Sequence, residues 1–65
     1  MGKADEEINK MIANLEDRLA VARRGFDETD ANNPVMNSYW ANRIEMIVNT
    51  IDMLNNLKEN LRGEN

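Results

Sequence analysis

Down the first part of the chain the apolar residues fall at Ile8, Ile12, Leu15, Leu19, Ala22 and Phe26, in steps of four and three. A mean spacing of 3.5 marks the seam of an α-helix lying at a shallow angle against a partner. Asp5, Glu6 and Glu7 crowd the expected first turn, where the helix dipole favours negative charge. Arg23, Arg24 and Gly25 stand at the other end, where cations and a glycine stop belong. The pattern predicts a first helix over about residues 4–26. Met11 and Val21 flank its seam, Ala13 and Ala20 allow close approach, and Glu6 with Lys10 forms an i,i+4 ion pair on its surface.

A second seam runs through Trp40, Ile44, Ile47, Ile51 and Leu54, with Leu57 and Leu61 continuing it. Between the two lies Asp27-Glu28-Thr29-Asp30-Ala31-Asn32-Asn33, polar and rich in residues that turn or cap. Pro34 suits the first position of a helix, where its missing N–H has no partner in any case. Asn33 before it is a good N-cap, and Asn37 or Ser38 offers a later start. The second helix is expected over about 34–62, roughly 40 Å long at 1.5 Å per residue. The fold class is therefore all-α: one domain, residues 1–65, forming an antiparallel two-helix hairpin. Its expected core is Ile8, Ile12, Leu15, Leu19 and Phe26 against Trp40, Ile44, Ile47, Ile51 and Leu54. Trp40 and Phe26 together would plug the loop end. A hairpin of 65 residues without cysteine buries little by itself, so self-association, into a four-helix bundle, is the expected remedy.

The second helix has a further apolar side. With Ile44 and Ile51 at a and Trp40, Ile47 and Leu54 at d, Met36, Arg43, Thr50 and Leu57 fall at g. Tyr39, Met46 and Met53 fall at c, about 130° from the seam. Asn42, Asn49 and Asn56 occupy f, and the acids Glu45, Asp52 and Glu59 keep to b. A surface helix ordinarily carries Glu and Lys where this one has Met, Tyr and Asn. The face Met36, Tyr39, Arg43, Met46, Thr50, Met53 and Leu57 is thus expected to be covered. It serves either as the oligomer core or as an adaptable, methionine-rich surface for a different molecule.

Charge and chemistry narrow the function. The net charge is −4, which disfavours nucleic acid and anionic membranes as partners. No apolar run approaches a membrane span, and Met1-Gly2-Lys3-Ala4-Asp5 leads into charge rather than a signal-peptide core, so a cytoplasmic setting is expected. With no His and no Cys there is no imidazole base, no thiolate and no Glu-x-x-His metal motif. Glu45, Asp52 and Glu59 step by seven along one edge and do not converge, and Gly2, Gly25 and Gly63 are too scattered for a phosphate loop. No cofactor and no enzymatic activity are expected. Arg18, Arg23, Arg24 and Arg43 are the candidates for holding an anion. Arg23, Arg24, Tyr39, Asn42 and Arg43, gathered at the loop end, could stack on a base and grip phosphates.

No motif carries a family assignment. In length and layout the chain resembles the Rop-type helical hairpin, a resemblance that implies a four-helix bundle binding paired RNA loops. In size and acidity it also resembles the small proteins that phages make against host defences or regulators. The leading expectation is a non-enzymatic inhibitor or adaptor that associates with itself and with another protein. The alternatives are an oligomeric sponge for a nucleotide-like anion at subunit junctions and a Rop-like RNA binder.

Overall fold

The structure is a computed structural model that describes residues 2–63, so residues 1, 64 and 65 of the expected domain lie outside it. Two helices, α1 (Lys3–Glu28) and α2 (Pro34–Gly63), pack against each other as an antiparallel hairpin. Gly2, at φ 147°, precedes α1 in a backbone region that favours glycine, and its carbonyl accepts the Glu6 N–H at 3.2 Å.

Helix α1 ends later than its composition predicts. Gly25 is not a stop: it stays within the helix, which closes four residues further on, at Thr29. There the Thr29 N–H donates to the Phe26 carbonyl at 3.2 Å, and its hydroxyl donates to the Gly25 carbonyl at 2.6 Å. The last turn consequently holds Asp27 and Glu28 rather than Arg23 and Arg24. The polar connection shortens to residues 29–33, held by Asp30. The Asp30 carboxylate accepts the Asn32 N–H at 2.9 Å and its carbonyl accepts the Asn33 N–H at 2.9 Å. Asn33 caps α2 as its position predicts, its side-chain oxygen accepting the Met36 N–H at 3.2 Å.

The seam between the helices holds the expected aliphatic residues. Ile8, Ala22 and Ile47 are buried, while Ile12, Leu15, Leu19, Trp40, Ile44, Ile51 and Leu54 are half-buried. Phe26 departs from expectation, being 41 % exposed. Trp40 instead lies flat against Gly25, so close that a Cβ there would stand 2.5 Å from the indole Cε2. The indole needs a surface without a side chain, and Gly25 supplies it, while Phe26 stays exposed. At the opposite end Lys58 takes the next seam position and its ammonium donates to the Asn9 side chain at 2.7 Å. The surface ion pair of α1 is Lys10 with Glu7 at 3.9 Å, not the anticipated Glu6.

The molecule is a rod of 52 × 15 × 11 Å with a radius of gyration of 15.1 Å. A compact 65-residue domain would have a radius of about 11 Å. Its accessible surface is 5155 Å², against about 4,200 Å² for a compact monomer of this mass. Only three residues among those described are buried, so one hairpin closes almost no core. No helix among the described residues is long and apolar enough to cross a membrane.

Candidate interaction face

Beside the seam, α2 carries a second stripe with the same periodicity. Met36, Tyr39, Arg43, Met46, Thr50, Met53 and Leu57 follow one another in steps of three and four. At 100° per residue all seven fall within a sector of about 100°. Each is exposed, Met46 and Met53 at 69 %. Helix α1 answers with a stripe of its own at Met11, Asn14, Arg18 and Val21, in steps of three, four and three. All four are exposed, Val21 at 62 %.

The two stripes are the banks of one trough. Toward the loop it forms a pocket of about 450 Å³, lined by Asn14, Asp17, Arg18, Val21 and Ala22 of α1 and Tyr39, Trp40 and Arg43 of α2. A smaller pocket of about 210 Å³ follows, between Leu15, Arg18, Arg43, Met46, Ile47 and Thr50. Toward the chain ends a third, of about 450 Å³, is lined by Met11, Leu15, Thr50 and Leu54, with Glu7 and Lys10 at its margin. Arg18 borders all three. Leu15, Ala22, Trp40, Ile47 and Leu54 of the aliphatic seam also line these pockets, so the trough opens onto the edge of the core.

The opposite bank of the seam differs in kind. Glu16, Arg23 and Asp27 of α1, and Glu45, Asp52 and Glu59 of α2, are exposed and charged there. One long side of the hairpin therefore mixes exposed Met, Tyr and Val with arginines, and the other exposes mainly acids. Sequence reasoning anticipated the α2 bank but missed the α1 bank. Its signal was present as the 3–4–3 spacing of Met11, Asn14, Arg18 and Val21, obscured because two of those residues are polar.

The anion-binding group divides. Tyr39 and Arg43 line the loop-end pocket together with Arg18, whereas Arg23, Arg24 and Asn42 do not border it. The residues nearest the loop in sequence point elsewhere, because a step from Arg18 to Arg23 or Arg24 rotates the side chain by 140° or 240°. Within the pocket, the Tyr39 and Trp40 rings meet edge to face at 5.0 Å and 75°. The Arg43 guanidinium carbon stands 6.0 Å from the Tyr39 ring centroid, at the outer limit of a cation–π contact. Asp17 is the only carboxylate that borders this pocket among the described residues.

No His, Cys, Asp or Glu cluster able to hold a metal ion occurs among the described residues. The chain matches no family model, no curated protein and no solved structure.

Proposed function

We propose that this chain acts by association rather than by catalysis: it is a self-associating acidic hairpin that inhibits or bridges another macromolecule. The observation that supports this reading is the trough, whose exposed methionine, tyrosine and valine side chains border a core that one hairpin leaves open. Methionine and tyrosine in that position suit a contact surface, being flexible or amphipathic side chains that gain by leaving water. Nothing in the chain competes with this reading by offering an imidazole base or thiolate.

Met46 and Met53 are the most exposed apolar residues of the α2 bank, at 69 % each, so the test is to change both to Glu. Two carboxylates forced into a desolvated contact should dissociate the assembly, because an unpaired charge pays a large desolvation cost there. Mass and melting temperature unchanged by Met46→Glu/Met53→Glu would overturn the reading.

A second reading has a specific observation in its favour. Arg18, Arg43, Tyr39 and Trp40 share one pocket of about 450 Å³, within the size range of small-molecule sites. A nucleotide-like anion would place its base on the rings and its phosphates on the guanidiniums. Titration with cyclic nucleotides, following Trp40 fluorescence, separates the two: a saturable change lost in Arg43→Ala favours the ligand. The RNA-binding alternative has the net charge of −4 against it.

A further inference from the structure

Arg18 of α1 and Arg43 of α2 border both the loop-end pocket and the smaller pocket beside it, and no other residue lines both. The two side chains therefore reach the same stretch of the trough from opposite helices. Both are exposed, and neither forms an ion pair among the described residues. Asp17 borders the loop-end pocket without pairing with Arg18, and no carboxylate borders the smaller pocket. Glu7 and Lys10, at the far margin, answer each other at 3.9 Å. In a chain with 12 acids and 8 bases, these two trough cations are left without a partner.

We infer that Arg18 and Arg43 form a site for a phosphoryl group, free or carried by a nucleotide, which is completed when a second copy closes the trough. Binding the anion and self-association then reinforce each other. This inference rests on the self-association proposed above and adds a ligand to it.

Position along the rod brings the charges of two copies together. The contacts of Gly25 with Trp40 and of Asn9 with Lys58 place the midpoint of the seam at Asp17 and Asn49. Exposed apolar residues lie on both sides of that midpoint, Val21 and Tyr39 toward the loop, Met11 and Met53 toward the chain ends. A second copy covers them all only by overlapping the whole rod. Arg18 stands one residue from the midpoint, so full overlap sets it against Arg18 of the second copy in either direction. The offset is nil in a parallel pair and about 3 Å in an antiparallel one, at 1.5 Å per residue.

Like charges juxtaposed across an interface are unfavourable, and a desolvated charge without a partner is costly. An oxyanion answers both costs, because the planar guanidinium fork matches phosphate oxygens in paired hydrogen bonds. On the single hairpin the same contact is exposed to water and weak. Closing the trough lowers the local dielectric and strengthens it. By linkage, the anion must then tighten the assembly by the factor by which the assembly tightens the anion.

The test is sedimentation equilibrium in inorganic phosphate and in chloride at matched ionic strength. Matching removes general screening, which by itself favours association of chains that each carry −4. The dimer should be about tenfold tighter in phosphate, a coupling of ordinary size. Arg18→Met/Arg43→Met should dimerise at least as tightly in chloride as the unaltered protein and lose the phosphate response. Arg24→Met should keep that response, since Arg24 borders none of the three pockets. A nucleoside 5′-monophosphate in place of phosphate tells the two sources apart. An equal gain marks the free ion, and a greater gain with a change in Trp40 emission marks a nucleotide whose base reaches the rings. Equal dimerisation in phosphate, nucleotide and chloride overturns the anion site and leaves self-association standing. A response retained in the double variant places the anion elsewhere and also overturns the site. A monomer in all three solutions overturns self-association and this inference with it.

Discussion

Gly25 decides how the loop end packs, and it does so by lacking a side chain. Its place inside α1 is locally unfavourable, since glycine costs about 1 kcal/mol against alanine in a helix interior. The indole of Trp40 lies on it at distances that no Cβ could share, 2.5 to 2.8 Å to three ring carbons. Gly25→Ala therefore sets a propensity gain of about 1 kcal/mol against an overpacking cost of about 1–3 kcal/mol. The melting temperature should fall, and Trp40 emission should shift as the indole is pushed toward solvent. A variant that melts higher with unchanged emission would contradict this packing. Reading the sequence alone made Gly25 a stop and gave Phe26 the place beside Trp40. Both errors share a cause: local propensity marks glycine as a terminator, whereas a flat aromatic arriving from 15 residues further along the chain is invisible locally.

At the scale of the helices, existence and direction were legible because the 3–4 periodicity of Ile8 to Ala22 and Trp40 to Leu54 is long and uninterrupted. The start of α2 was legible too, since Asn33 and Pro34 carry their own chemistry. Its side chain caps the Met36 N–H in the structure. Asn33→Ala should cost about 1 kcal/mol, measured as a lower urea midpoint at an unchanged slope. A midpoint equal to that of the unaltered protein would mean that Asp30 and Asn37, which also bond within this turn, set the helix start instead. The end of α1 was not legible. Thr29 closes it through a hydroxyl bond to the Gly25 carbonyl, a capping role that composition assigns to Arg24 and Gly25 before it. The α1 bank of the trough escaped notice for a related reason. Asn14 and Arg18 read as solvated positions, and only the neighbouring helix turns them into the margin of a groove.

For the whole molecule, a rod with three buried residues among those described leaves most of its apolar side chains in contact with water. On the reading proposed above, a second copy covers them without new sequence, in keeping with the way short chains lacking disulfides or metals find a core. In that proposed four-helix bundle the trough is the centre, and the outer side, with Glu45, Asp52 and Glu59, meets solvent. Sedimentation equilibrium at micromolar concentration tests this most directly. The account predicts a species of about 15 kDa, twice the 7.5 kDa of one chain, that reverts to unfolded monomer in Met46→Glu/Met53→Glu. A stable, fully helical monomer of 7.5 kDa would contradict it.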